Sequence, residues 1–218
     1  MFTDIKTKLP TAGPERVRVD VTLIPAEPLY SAVINASQAI SRQFTNQNII
    51  DNDTFPPHAS LHICTIPKDQ LSIFLDMIDH IVEKSLPELV PVEVIKGSAG
   101  YISLGLTITP AIRSLHERIL SAAATVRGAD YQEDPVRLAR LPPPDRQIFQ
   151  KYGSSFVLER FDLHISIAKV VPEHQARAWK IATQVLGTIT SIPTSSVQVC
   201  DIGMRSEKWV VLHNIEKQ

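Results

Sequence analysis

Two short segments of the sequence carry the same pattern of a histidine, any residue, a serine and an aliphatic residue. They are His58-Ala59-Ser60-Leu61 and His164-Ile165-Ser166-Ile167. Each lies in a run rich in β-branched residues, which predicts a β-strand. An amphipathic helix and two further predicted strands follow each run. This repeated order favours an α+β fold in which two similar lobes face each other across a groove.

The rest of the chain alternates between strand and helix patterns. Strands are predicted over Arg16–Ile24, His58–Ile66, Val92–Lys96, Tyr101–Ile108, Phe161–Val171, Val197–Met204 and Lys208–Ile215, and helices over Pro28–Phe44, Asp69–Ser85, 110–128 and Pro172–Leu186. Thr109 suits the N-terminal cap of the third helix, with Pro110 in its first position and Gly128 as its C-terminal cap.

Residues 129–157 interrupt this alternation. They contain three consecutive prolines after Leu141, several arginines and no clean period. Segments of this length without regular structure are usually functional or disordered, so we expect a structured insertion or lid. The whole chain, residues 1–218, is then interpreted as a single bilobal domain.

Composition excludes several classes of protein. The net charge of −1 provides no global field for holding long nucleic acid. Cys64 and Cys200 are the only cysteines, too few for a disulfide framework. No run approaches the roughly 18 apolar residues of a membrane-spanning helix, and the N-terminus does not resemble a signal peptide. We therefore expect a cytoplasmic protein that does not associate with membranes.

The spacing of the two motifs suits acid–base chemistry on a phosphate. Residues two apart on a strand point to the same face, about 6.6 Å apart, so each motif presents an imidazole and a hydroxyl together. Two such strands would surround a phosphate with His58, Ser60, His164 and Ser166. One neutral histidine can accept a proton while the other, protonated, donates one. The hydroxyls can bind the non-bridging oxygens. This chemistry requires no metal or cofactor.

The pair of motifs resembles the 2H phosphoesterase superfamily, whose members carry tandem H-x-[ST]-hydrophobic motifs. The context FPPHASLHI (Phe55–Ile63) is similar to the first motif of that superfamily, and FDLHISIAK (Phe161–Lys169) is similar to the second. The resemblance implies a bilobal LigT-like fold, with two pseudo-symmetric antiparallel-sheet lobes and outer helices around a central groove. It implies His58 and His164 as catalytic acid and base, in an order left open, and Ser60 and Ser166 as phosphate ligands.

The stretch from Arg140 to Ile167 resembles one bacterial branch of the superfamily, which is associated with phosphonate degradation. The matching residues are Arg140, Leu141, Arg146-Gln147, Tyr152-Gly153, Phe156-Val157, Phe161 and His164. Two details depart from that branch: Tyr152 stands where tryptophan is common, and both motif hydroxyls are serine where threonine is commoner.

The resemblance implies hydrolysis of a small cyclic phosphodiester, such as a 2′,3′-cyclic nucleotide or a cyclic ribose phosphate. Two alternatives remain open: an enzyme that joins RNA ends through a 2′–5′ linkage, and a non-catalytic module that binds a nucleotide or an RNA end. The near-neutral charge counts against gripping two RNA ends.

Five further residues are candidates for substrate binding: His62, Tyr101, Arg140, Arg146 and Tyr152. Strand periodicity predicts that His62 and Cys64 share a face with His58, so a register that uses His62 and Cys64 as the motif stays open, as does packing of His62 beneath the groove. A zinc site at His58 and His62 is disfavoured, because four strand residues span roughly 13 Å, too far for two bonds of about 2.1 Å to one ion.

Overall fold

Eight strands and six α-helices make up the described part of the chain. In the computed structural model, the described residues are 15–82, 86–129, 131–188, 190–204 and 209–216. The strands are β1 (Arg16–Pro25), β2 (Ala59–Pro67), β3 (Glu88–Leu89), β4 (Pro91–Lys96), β5 (Tyr101–Leu106), β6 (His164–Lys169), β7 (Ile192–Asp201) and β8 (Val210–Glu216). The helices are α1 (Leu29–Ser41), α2 (Leu71–Val82), α3 (Pro110–Arg127), α4 (Pro135–Ala139), α5 (Pro143–Tyr152) and α6 (Gln175–Leu186). The predicted α+β class is confirmed.

The strands form one antiparallel sheet that is nearly divided in two. Its order is β3-β7-β1-β2-β6-β5-β4, and β8 also pairs with β7. Strands β2 and β6 are joined by a single residue pair, Ala59 with Ile165, whereas β1 forms long ladders with both β2 and β7. We call β1, β2, β3, β7 and β8 the first lobe, and β4, β5 and β6 the second lobe. The two motifs therefore meet where the lobes join.

Each lobe is assembled from both halves of the chain. Strands β4 and β5 follow the first motif in sequence but pair beside β6, which carries the second motif. Strands β7 and β8 follow the second motif but complete the sheet beside β1 and β2. Helices α2 and α3 cover the first lobe, and α1 and α6 cover the second. The lobes are thus interlaced, an arrangement that local sequence patterns do not determine.

Helix α3 begins and ends where the sequence predicts. The Thr109 side chain accepts a hydrogen bond from the backbone N–H of Ile112 at 3.3 Å, and Pro110 occupies the first turn. Gly128 ends the helix with a φ of 65°. The apolar stripe expected for this helix is buried in the core at Ile112, Leu115, Ile119, Ala123 and Val126. The predicted amphipathic helix is therefore confirmed.

The described part of the insertion, residues 131–157, contains two short helices, α4 and α5. Asp134 caps α4 by accepting a hydrogen bond from Val136 N–H at 2.9 Å, and a proline occupies the first turn of both α4 and α5. The insertion packs against α3. A proline in the first turn costs no helical hydrogen bond. The proline cluster that hides the helical periodicity of the sequence therefore also begins helix α5.

A buried arginine fixes the insertion to the first lobe. Arg127, at the end of α3, donates hydrogen bonds to the carbonyl oxygens of Gln150, at 2.9 Å, and of Thr65. Its guanidinium also lies 3.3 Å from the Glu133 carboxylate, and both side chains are 1% exposed. Thr65 belongs to β2, so one side chain ties the edge of this strand to the insertion.

Several element boundaries differ from the sequence prediction. The two-residue β3 was not predicted, and β7 begins at Ile192 rather than Val197 because its first residues pair with β3. The predicted ends at Ser85 and Lys208 lie outside the described residues. No helix in the described part of the chain has both the length and the apolar character needed to cross a membrane.

Candidate active site

The two motifs lie side by side at the junction of the lobes. Ala59 and Ile165, which form the joining pair, are fully buried. In an antiparallel pair, extending this register by one residue in each direction sets His58 opposite Ser166 and Ser60 opposite His164. Residues directly opposite have Cα atoms about 4.5–5.5 Å apart, and diagonal neighbours such as the two histidines are about 7–8 Å apart. From this register we expect each histidine to lie beside the serine of the other motif, and the electrostatic effect of His164 on His58 agrees with their closeness.

A β-bulge follows the serine in each motif. Leu61 in β2 has no opposite residue in β1, and Ile167 in β6 has none in β5. An extra residue reverses the alternation of faces, so side chains beyond the bulge point the other way from what two-residue periodicity predicts. Leu61 and Ile167 are both buried, which explains the aliphatic residue in the fourth position of each motif.

His58 is held in a defined tautomer and is largely buried. Its Nδ1 lies 2.7 Å from the carbonyl oxygen of Pro56. A carbonyl only accepts, so Nδ1 carries the hydrogen and the neutral ring presents the lone pair of Nε2. The ring packs against Trp209, with centroids 4.3 Å apart. Burial lowers the pKa of His58 to about 4; the Pro56 hydrogen bond opposes this shift and the nearby His164 adds to it. His58 is therefore a neutral proton acceptor at neutral pH.

His164 has different surroundings. Its side chain is 39% exposed, and its Nδ1 lies 3.5 Å from an oxygen of the Asp162 carboxylate. This places a negative charge beside the ring, whereas the His58 ring lies against an indole. The two histidines thus have the same motif but unequal environments, which is the usual way to give two like groups different roles.

The two motif serines also differ. The Ser60 hydroxyl donates a 2.7 Å hydrogen bond to the carboxyl of Asp20, a 2% exposed residue of β1. Ser166 lies opposite the buried Ser103 of β5. Burial raises the pKa of Asp20 to about 8, opposed by the hydrogen bond from Ser60 and the charge of Arg18.

Sequence reasoning missed Asp20 and Trp209 as parts of the site. A signal for Asp20 was present, because Arg16–Ile24 alternates and its polar positions share one face. The sequence could not show whether these polar positions would lie on the motif face or on the helix side of the sheet. It also could not show that Ser60 would share their face. No local pattern indicated Trp209, which reaches His58 only through the pairing of β7 with β1 and β8.

The expectation that His62 and Cys64 share a face with His58 is wrong. Because of the bulge at Leu61, His62 lies opposite the buried Val21 and is itself 3% exposed. Its ring centroid is 6.4 Å from that of His116 on α3, on the helix side of the sheet. Burial, with a smaller contribution from His116, lowers the pKa of His62 to about 3. His62 is a packing residue beneath the groove.

Cys64 lies on the same helix side. A Cβ atom at Gly153, just after α5, would be 2.8 Å from the Cβ of Cys64, so the insertion packs directly against this thiol. Burial raises the pKa of Cys64 to about 12. The thiol is accordingly buried packing rather than a reactive group at the groove.

The other candidate binding residues fall into two groups. Tyr101 of β5 shares the face of His164 and Ser166, and Lys169 extends its ammonium over the tyrosine ring at 4.9 Å. The remaining three belong to the insertion and are Arg140, Arg146 and Tyr152.

Two of the three insertion residues, Arg146 and Tyr152, lie on the helix side of the sheet. Arg140 is exposed at the end of α4, and Arg146 lines a cavity of about 550 Å³ between α3, α4 and α5. The Tyr152 ring carries the Lys151 ammonium at 4.9 Å, and its backbone lies near the buried His62. Within the described residues, no cluster of three His, Cys, Asp or Glu side chains could hold a metal ion.

Comparison with solved structures identifies the fold. The chain is similar to TT0787 of Thermus thermophilus, with a TM-score of 0.55 and 12% identity, over 91% of this chain and 97% of that one. It is similar to apo LigT of E. coli, with a TM-score of 0.50 and 11% identity, over 94% and 99% of the two chains. No family model and no curated protein matches the sequence. The LigT-like fold implied by the motifs is confirmed.

Proposed function

We propose that this chain is a phosphodiesterase that hydrolyses a small cyclic phosphodiester by two-histidine acid–base catalysis, without a metal ion. The observation that carries the proposal is the Ala59–Ile165 pair, which joins the two motif strands. From its register we expect each motif histidine to lie beside the serine of the other motif. Four groups in this arrangement can surround one phosphate. The LigT-like fold is consistent with it.

His58 is the general base in this proposal. Its Nδ1–H is engaged by the Pro56 carbonyl, so Nε2 has a free lone pair. The low pKa, about 4, keeps the ring neutral at physiological pH. A group that must accept a proton needs this form, and its hydrogen bond to the backbone fixes the direction of the lone pair.

His164 is the general acid. The Asp162 carboxylate, 3.5 Å from Nδ1, is positioned to compensate the positive charge that an acid carries before it gives up its proton. A water molecule would attack phosphorus, losing one proton to His58 while the new P–O bond forms. The bond to one ribose oxygen breaks, and that oxygen receives the proton of His164. The product is a phosphate monoester with a free hydroxyl, and the net change is the addition of one water.

Ser60 and Ser166 bind the non-bridging oxygens, on which negative charge accumulates in the transition state. Tyr101 remains in the proposal as a contact for the base or sugar, because it shares the motif face. His62, Arg146 and Tyr152 are left out, because they lie on the helix side of the sheet. Arg140, which is exposed at the end of α4, remains in the proposal as a substrate contact from the insertion.

The preferred substrates are 2′,3′-cyclic nucleotides and cyclic ribose phosphates. The latter are included because Arg140–Ile167 resembles the branch associated with phosphonate degradation. In the chain this stretch forms α5 and leads directly into β6, so it positions the second motif. We extend the proposal to a cyclic ribose phosphate on the basis of that resemblance.

The test is a panel of both substrate classes, incubated with wild type, His58→Ala and His164→Ala, with products followed by ³¹P NMR. We expect wild type to produce a phosphate monoester at an unchanged rate in EDTA. Each substitution should lower turnover by about 10²–10⁴-fold, which is the usual contribution of one positioned acid or base.

His62→Leu is the matched control, since it removes a histidine from the same strand but from the opposite face. Full activity of the His58→Ala/His164→Ala double variant would refute the proposal. Tight binding of a 2′-phosphate without turnover of any cyclic substrate would instead identify a non-catalytic binding module. Formation of a 2′–5′ linkage between RNA ends would identify the end-joining alternative.

A further inference from the structure

A carboxyl group lies buried directly behind the first motif serine. Asp20 is 2% exposed and accepts the Ser60 hydroxyl hydrogen through Oδ2 at 2.7 Å. Its other oxygen, Oδ1, is buried and has no hydrogen-bond partner among the described residues. An ionised carboxylate in such a place would carry an unsatisfied charge, whereas a neutral carboxylic acid has a proton of its own to donate.

The protonation state of Asp20 decides what Ser60 can do. A serine hydroxyl has one hydrogen to donate. If Asp20 is ionised, that hydrogen is given to the carboxylate, and Ser60 turns only lone pairs toward an anionic phosphate. If Asp20 is protonated, its O–H can donate to Ser60 Oγ, and the serine hydrogen becomes free to bind a non-bridging oxygen.

We propose that Asp20 is a positioning residue which, as a neutral acid, donates a hydrogen bond to Ser60 and so directs the Ser60 hydroxyl toward the phosphate. In this arrangement Asp20 donates to Ser60, and Ser60 donates to the substrate. When Asp20 loses its proton, Ser60 donates to Asp20 instead. The inference rests on the proposed function of Ser60 as a phosphate ligand.

Burial favours the neutral form of Asp20, and its neighbours oppose this only in part. On β1 itself, Arg18 acts in the opposite sense, as does the hydrogen bond from Ser60 of β2. Two further titratable groups interact with Asp20 in the described part of the chain: the thiols of Cys200 on β7, opposite Asp20, and of Cys64 on β2. Both are uncharged because burial raises their pKa values. Burial outweighs Arg18 and raises the pKa of Asp20 to about 8.

This arrangement makes the activity depend on the protonation of Asp20. Ionisation of Asp20 weakens phosphate binding by Ser60 as the pH rises through about 8. A bound phosphate anion opposes that ionisation, so the effect appears at lower pH in kcat/KM, which reports the free enzyme, than in kcat.

The test compares Asp20→Asn with wild type across pH 6 to 9.5. Asparagine has nearly the same shape, and its amide can donate to Ser60 at every pH. We expect the ratio of kcat/KM for the variant to that for wild type to rise by about 8-fold to 25-fold by pH 9.5, if one donor to a developing anion contributes about 10-fold to 100-fold. The rise should begin near pH 8, the pKa of Asp20.

The same ratio is measured in a Ser60→Ala background, where it should stay flat because Asp20 then has no hydroxyl to direct. A rise of equal size in that background would overturn the proposal in favour of a simple charge effect of Asp20 on the site. A flat ratio with Ser60 present would also overturn it. Asp20→Ala also removes the ionisable group, so the pH dependence of its kcat/KM ratio to wild type is measured in the same way as a second variant.

Binding of inorganic phosphate, measured by calorimetry over the same pH range, separates this proposal from the proposed function. The ratio of dissociation constants of wild type and Asp20→Asn should rise with pH as the kinetic ratio does. Absence of turnover by wild type, together with this rise, would refute the phosphodiesterase but support the role of Asp20. Turnover by wild type, with both ratios independent of pH, would support the phosphodiesterase and refute the role of Asp20.

Discussion

Removal of the Trp209 indole should change the pH at which His58 stops accepting protons. The indole packs on the imidazole at 4.3 Å and excludes water from it. Burial is the largest cause of the low His58 pKa. Trp209→Ala opens one face of the ring to solvent, so the pKa should rise from about 4 toward the ordinary value of 6.5.

The size of the effect follows from these two values. The shift is about 2.5 pH units, which corresponds to roughly 3 kcal/mol against charging His58 in the folded protein. Between pH 6.5 and 4 the folded state binds fewer protons than the unfolded state, because His58 accepts its proton there only after unfolding. The free energy of unfolding therefore has its full value above pH 6.5 and falls by roughly 3 kcal/mol as the pH drops to 4. Trp209→Ala should recover part of that lost stability and move the acid limb of kcat/KM upward by about 1–2 units.

The assay is kcat/KM for a cyclic phosphodiester between pH 4.5 and 7.5, combined with an NMR titration of the His58 ring, which does not depend on turnover. Trp179→Ala is the control, because this second tryptophan lies on α6, donates to the Val94 carbonyl at 2.6 Å and is remote from His58. An unchanged acid limb and an unchanged ring titration in folded Trp209→Ala would refute the assignment of the low pKa to burial by the indole.

Three further substitutions test the packing of the site. Arg127→Met should lower the free energy of unfolding in urea by about 3–5 kcal/mol, because it leaves Glu133 buried without its partner; a loss below about 1 kcal/mol would contradict this. Gly153→Ala should cost about 2–5 kcal/mol by thermal or urea unfolding, from a φ of 78° and a Cβ 2.8 Å from that of Cys64; wild-type stability would show that α5 moves aside. His62→Leu should leave kcat/KM within about threefold of wild type, since the ring faces away from the groove; a loss similar to that of His58→Ala would restore the alternative register of the motif.

Local sequence patterns were sufficient for most elements. Alternation in Arg16–Ile24 predicted β1, and Thr109, Pro110 and Gly128 predicted the limits of α3, because these signals act within a few residues of the chain. The two motifs predicted that a strand would carry each histidine–serine pair. Their adjacency followed from the resemblance and from the geometry of facing strands.

What failed depends on partners far away in sequence. The face of His62 was predicted wrongly because a bulge is a property of two paired strands, and the sequence of β2 alone does not reveal Leu61 as the extra residue. The contact between Asp20 and Ser60 likewise joins two strands that are separated by α1. Side-chain periodicity cannot detect such features until the register between strands is known.

The interlaced lobes also constrain how the chain folds during synthesis. Strand β1 lies between β2 and β7, and Val19 pairs with both Cys64 and Asp201. The nascent chain can form the β1–β2 pair early, but the other edge of β1 stays open until β7 has left the ribosome. An open edge is a template for pairing with other chains, and contacts this distant in sequence slow folding. This protein should therefore depend on chaperones, or fold slowly, until its last two strands are made.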